Sequence, residues 1–230
     1  MTPPTAARRE IIAGMQIPGS RAAWLNPERA HTDRTEANAR LTSMTGLVLF
    51  VLLAVLGVTI LRIHQLLAAH VVVGMALVGP LAVKLASTGW RFVRYYTGDA
   101  EYVRAGPPRP LLRFLAPLVV LTTVAVVGTG IALVAGTPGR GSALLTLHKV
   151  SFIVWFAVMT VHVLAYLVPA LRSAGADLGG RGPATVVASR RARQLVVGAS
   201  MVVGAAFAVW GVHWAHPWLS PTVGGPGSRH

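Results

Sequence analysis

The stretch LLAAHVVVGMALVGPLAVKLA, residues 66–86, decides how this chain must fold. It contains two ionisable groups, His70 and Lys84, and little else that prefers water. A hydrocarbon core roughly 30 Å thick is crossed by about 20 helical residues, so a block of this length reads as a membrane span. Four further blocks match it, at 41–61, 115–135, 144–169 and 194–215. Of the 230 residues only 12% are charged, and the mean hydropathy is +0.59. Soluble domains carry about a quarter charged residues, and one of this size could not hide so much apolar sequence. The expected fold is all-α, a polytopic membrane bundle of five transmembrane helices. The short joint 62–65 makes the first two helices an antiparallel hairpin. The turn formers of 136–141 (Gly-Thr-Pro-Gly-Arg-Gly) do the same for the third and fourth.

A net charge of +14 and a pI near 11.8 raise the possibility of nucleic acid. The distribution of the cations argues against it. Arg8, Arg9, Arg21, Arg29, Arg34 and Arg40 precede the first span. Arg91, Arg94, Arg104, Arg109 and Arg113 lie between the second and third, and Arg172, Arg181, Arg190, Arg191 and Arg193 between the fourth and fifth. Sixteen of the 21 basic residues therefore fall on one side, with Arg62, Arg140, Lys149 and Arg229 on the other. Such an excess marks cytoplasmic flanks that meet anionic lipid, so the expectation is a plasma-membrane protein with its N-terminus inside and its C-terminus outside. The organisation that follows is a polar cytoplasmic segment (1–40), a four-helix core (41–170), a basic cytoplasmic loop (171–193), a fifth helix (194–216) and an outer tail (217–230). Residues 1–40 lack the apolar stretch of a signal peptide.

The chain has no cysteine, which excludes disulfides, thiolate catalysis, iron–sulfur clusters and covalently attached haem c. All seven acids fall in the cytoplasmic segments, leaving no carboxylate in the bilayer. Proton pumps and many ion-coupled permeases depend on such carboxylates, so a permease is disfavoured.

Ionisable groups inside a bilayer are functional candidates by default. They are His70 and Lys84 on the second helix, His148 and His162 on the fourth, and His213 and His216 near the end of the fifth, with His64 in the joint. His148 and His162 are fourteen residues apart, as are His70 and Lys84. On a helix that spacing leaves each pair about 40° apart on one face and roughly 21 Å apart along the axis. The second and fourth helices run in the same direction, so His70 matches His148 in depth near the outer surface, and Lys84 matches His162 near the inner. Two neutral imidazoles at one depth on facing helices suit the two faces of a haem iron, in an electron carrier with no open coordination position. Gly57, Gly128 and Gly130 fall at the same depth, where they would let a flat macrocycle approach the backbone.

At the inner pair the alternatives stay open: Lys84 and His162 would bind a haem propionate, a quinone oxygen or each other through water, or His162 would ligate a second haem. The tryptophan-rich end of the fifth helix, with His213 and His216, reads as an interfacial aromatic belt. A competing reading makes His213 an outer ligand or part of a docking surface. The basic aromatic segment 90–96 reads as an amphipathic loop on the inner leaflet.

Several short stretches resemble a family. Ala69-His70-Val71-Val72-Val73-Gly74 and Leu81-Ala82-Val83-Lys84-Leu85 are similar to the second helix of cytochrome b-like membrane modules of actinobacteria. His148-Lys149-Val150-Ser151-Phe152-Ile153-Val154-Trp155 and Val161-His162-Val163 are similar to their fourth helix, and Thr129-Gly130 to the end of the third. The wider group is the four-helix b-type cytochromes, including cytochrome b561-type proteins. The resemblance covers residues 41–170 and implies haem b ligated by His70 and His148, with His162 as the inner candidate. Lys84 departs from it, standing where a fourth histidine is expected. The implied role is an electron-transfer subunit of a respiratory chain, linking the quinone pool to an extracytoplasmic partner such as a molybdopterin oxidoreductase. No catalytic constellation is visible in the chain itself. The reading from a different class is a cofactor-free membrane anchor or assembly protein for a partner enzyme.

Overall fold

The computed structural model describes residues 27–106, 110–136, 141–182 and 184–219, and these are helical with no strand among them. The elements are α1 (Pro27–Leu61), α2 (Ile63–Ala76), α3 (Val78–Tyr96), α4 (Ala100–Arg104), α5 (Pro110–Ala135), α6 (Gly141–Leu178), α7 (Ala184–Ala188), α8 (Arg190–Trp214) and α9 (His216–Leu219). Among the described residues five stretches are long and apolar enough to cross a membrane: Arg34–Leu61, Ile63–Tyr96, Arg113–Ala135, Ala143–Leu178 and Val186–Trp214. The chain is an all-α polytopic bundle, with α2 and α3 together forming its second span. Arg8, Arg9, Arg21, Arg109, Arg140 and Arg229, the turn 137–140 and the tail beyond Leu219 lie outside the described residues.

The first span packs against the second on one side and the fourth on the other, and the third lies along the fourth. The fifth covers both halves of the second and touches the third lightly. The second and fourth spans thus occupy opposite corners of a four-helix core, with the fifth span outside it.

Pro80 explains why the fifth span sits where it does. Its ring nitrogen has no proton to give the Ala76 carbonyl, and α2 passes to α3 at Leu77. The freed Ala76 oxygen faces Gly204, where a Cβ would collide with it, and a Cβ on Gly79 would collide with the Ser200 carbonyl. Ser200, Gly204, Ala208 and Gly211 form a buried stripe of small residues along α8. Backbones can close only over such a stripe, which is how helices associate where lipid is as apolar as the side chains.

At the arginine-rich end the helices outrun the expected spans. The segment 90–96, expected as a loop on the membrane surface, is instead the last two turns of α3. Bilayer thickness limits the apolar stretch, not the helix, and nothing in Ser87–Tyr96 interrupts the hydrogen-bond ladder. Neighbours four apart support it: the Arg94 guanidinium lies 5.4 Å from the centre of the Trp90 ring, and the Phe92 and Tyr96 rings are 4.5 Å apart. The helix stops at Gly98, whose φ of +80° allows Asp99 N–H to reach the Arg94 carbonyl at 3.0 Å and Gly98 N–H the Tyr95 carbonyl at 3.2 Å.

At this end Asp177 is 1% exposed and holds two arginines, Arg40 of α1 at 3.5 Å and Arg193 of α8. Arg40 also pairs with Glu36 at 2.5 Å, and Arg193 reaches the Ser189 hydroxyl at 2.6 Å and the Val186 carbonyl at 3.0 Å. Two of the cations that mark the flank are therefore buried in a clamp joining the first, fourth and fifth spans.

Asp177→Ala leaves Arg193 without a carboxylate and Arg40 with Glu36 alone, and should cost about 3–5 kcal/mol, measured as a fall in the unfolding midpoint in detergent; a loss under about 1 kcal/mol would mean that the cluster is solvated. Gly204→Leu should cost at least about 1–3 kcal/mol by wedging the fifth span from the second, with faster proteolysis at the start of α8 as its second signature.

Candidate functional site

His70 and His148 belong to the spans at opposite corners of the core, and their half-buried rings lie within electrostatic reach of one another. Each is gripped in the same way by a threonine of the preceding span. His70 Nδ1 lies 2.9 Å from Thr59 Oγ1, and His148 Nδ1 lies 3.0 Å from Thr129 Oγ1. A hydroxyl has one proton to give. Thr59 donates its proton to the Leu56 carbonyl at 2.6 Å, and Thr129 donates to Ala125 at 2.8 Å or Val126 at 3.0 Å. Both hydroxyls are left as acceptors toward the rings. Each imidazole then carries its proton on Nδ1 and presents an unprotonated Nε2, the tautomer a metal-ligating histidine needs.

Local sequence makes this possible. In hydrocarbon a threonine hydroxyl returns to its own helix at i−3 or i−4, which satisfies its proton and leaves its lone pairs outward. Gly130 lets the His148 ring close on α5, since a Cβ there would stand 3.3 Å from Cε1. Ser151 braces the same turn, donating to the His148 carbonyl at 2.9 Å, and the Trp155 indole N–H donates to Thr123 at 3.0 Å across the α5–α6 seam. Gly57 and Gly128 lie apart from these contacts; both are exposed, with no atom within 4 Å of where a Cβ would stand.

Lys84 and His162 also come together, within electrostatic reach of each other nearer the arginine-rich end. Lys84 Nζ donates to the Thr42 carbonyl of α1 at 2.7 Å, over Gly46, where a Cβ would stand 3.0 Å from the amine. Thr42 bonds Ser87 at 3.0 Å, and Asn38 donates to the Ser87 carbonyl at 3.1 Å, which pins α1 to α3. The His162 and Tyr166 rings meet at a 41° tilt with centres 4.9 Å apart, and Arg91 lies within electrostatic reach of that phenol.

His213 and His216 are exposed at the end of the fifth span, where His213 stands edge-on to Trp214 at 6.1 Å. Among the described residues no three histidines or acids converge as a metal cluster. What the site offers is therefore two separate imidazole donors and, deeper toward the other end, a cationic and aromatic group.

Sequence reading missed the role of Thr59, Thr42 and Tyr166. A signal for the first was present. Thr59 and His70 flank the first hairpin turn (62–65), three residues before it and five after it, and Thr129 and His148 lie equally far from the middle of the second. A polar residue opposite a histidine at the same depth is its natural partner. No protein-family model matches the chain, and no curated protein or solved structure proved similar to it.

Nitrogen-15 solid-state NMR of histidine-labelled protein in lipid should find His70 and His148 protonated on Nδ1 and bare on Nε2. Thr59→Val and Thr129→Val should each abolish that preference at their own ring only. Finding Nε2 protonated at both rings in the parent protein would contradict the assignment.

Proposed function

We propose that this chain is a haem b-binding electron-transfer subunit of a plasma membrane, with the arginine-rich end in the cytoplasm and the C-terminus outside. It passes electrons between the quinone pool and an extracytoplasmic redox partner, such as a molybdopterin oxidoreductase. The observation that carries this reading is the duplicated Thr–His pair, Thr59–His70 and Thr129–His148, which frees one imidazole nitrogen on each of two opposed spans.

The residues present fit the group. His70 and His148 would hold the haem iron, and Gly130 keeps the His148 ring close to its own helix pair. Bound there, haem b would supply reversible one-electron storage, and two imidazole ligands would leave no open position for substrate. The chain's own part is to fix both tautomers through Thr59 and Thr129, to brace the His148 turn through Ser151, and to keep bulk water from the rings by the apolar spans around them. Orientation of the bundle is supported by the sixteen cations on one side. The inner pair offers one imidazole and one amine, and a protonated amine is no ligand, so a single haem per chain is the stoichiometry that follows.

Purified protein should give one haem b per chain in a pyridine haemochrome assay. His70→Ala and His148→Ala should each lose most of it, while Thr59→Val and Thr129→Val should weaken haem retention about tenfold or more. Lys84→Met should still contain one. Protein free of pigment after expression with ample haem would overturn the proposal.

A further inference from the structure

The Lys84 cluster differs from the outer pair in how its polar atoms are used. An ammonium has three donors, and among the described residues one is accounted for, by the Thr42 carbonyl at 2.7 Å. Among the described residues neither ring nitrogen of His162 nor the Tyr166 hydroxyl makes a hydrogen bond to protein, and the two rings meet at a 41° tilt with centres 4.9 Å apart. No acid of the chain lies in the apolar spans at this depth to neutralise the amine. Unspent donors at this depth are costly and call for an acceptor.

Position narrows the class of acceptor. Lys84 is seven residues before Arg91 on the same helix, roughly 10 Å deeper in the bilayer. A lipid phosphate or fatty-acid carboxylate finds Arg91 and Arg94 first, at the interface. A ligand that reaches Lys84 must dissolve in hydrocarbon, carry a carbonyl oxygen and present a flat ring to His162 and Tyr166. Tyr166, one turn beyond His162 on the same face of the fourth span, is exposed, which leaves that face open toward lipid.

We infer that Lys84, His162 and Tyr166 bind the head group of a membrane-dissolved quinone, one carbonyl oxygen of which accepts a hydrogen bond from Lys84. The inference deepens the electron-transfer reading and rests on it for the class of ligand. Its residues are separate from those that would hold haem, so the two can fail independently. Lys84 and His162 then stand as a second ligand site where a two-haem cytochrome would carry its other haem.

The test is calorimetric titration of 2-methyl-1,4-naphthoquinone into the full chain in lipid nanodiscs, with empty nanodiscs subtracted. Lys84→Met and His162→Leu should each weaken binding about tenfold or more. The exposed control Arg172→Ala should leave binding unchanged. Removing a charge from a span eases insertion, so Lys84→Met is expected to fold, and its circular dichroism and monodispersity check this. Binding that survives both substitutions, no saturable binding to the parent protein, or Lys84-dependent binding of palmitate in place of the naphthoquinone would each overturn the inference. Lys84-dependent quinone binding to a chain that holds no haem would sustain this site and sink the electron-transfer reading instead.

Discussion

Inside hydrocarbon no water is at hand to satisfy a polar group, and that single constraint organises this molecule. It makes the backbone helical, and it then acts on the side chains. Thr59, Thr122, Thr129 and Thr160 each spend their proton on a carbonyl of their own helix, whereas Thr42 gives its own to Ser87 across two spans. A hydroxyl used in this way becomes a pure acceptor on the helix surface. Two of them meet histidines of the next span, and the tautomer of both rings follows from where the threonine protons have already gone. The chemistry at the centre of the bundle is a consequence of backbone satisfaction, not an addition to it.

The same constraint, broken at one point, places the fifth span. Pro80 leaves the Ala76 carbonyl without its helical donor, and α8 approaches over Gly204 and Gly79 until the backbones meet. The approach needs residues without bulk on both sides. Charge supplies a second lock at the arginine-rich end, where Asp177 is shared between Arg40 and Arg193. Breaking such a buried set costs more than forming it gains, so the clamp fixes which spans are neighbours more than it adds net stability. Packing at one level and ion pairing at another leave the core of the first four spans free to be shaped by its polar residues.

The two levels of the core have opposite character. Near the hairpin turns, each imidazole is held in one orientation and partnered on one nitrogen. Toward the other end, an amine, an imidazole and a phenol have polar atoms to spare. A chain that placed four histidines in these positions would have two equivalent levels; Lys84 makes them unlike.

Much of this was legible in the residues alone. Five spans follow from block lengths of apolar residues, because hydrocarbon thickness sets the length and leaves little choice. The equal depth of His70 and His148, and of Lys84 and His162, follows from helical rise and two short hairpin turns. Other features were invisible for a physical reason. Helix ends in water are set by caps such as Gly98, not by hydropathy, so 90–96 was expected as a loop and is helix. Which arginines face lipid and which are buried on Asp177 depends on how spans are arranged around one another, and one-dimensional sequence does not contain that arrangement. Likewise, composition places Thr59 somewhere in a span, but only packing of α1 on α2 turns its spare lone pair toward His70. Sequence determined the number, length and depth of the parts, because these are properties of single helices. Tertiary structure decided which polar atoms meet, because a hydrogen bond between spans exists only when two helix faces have been rotated toward each other.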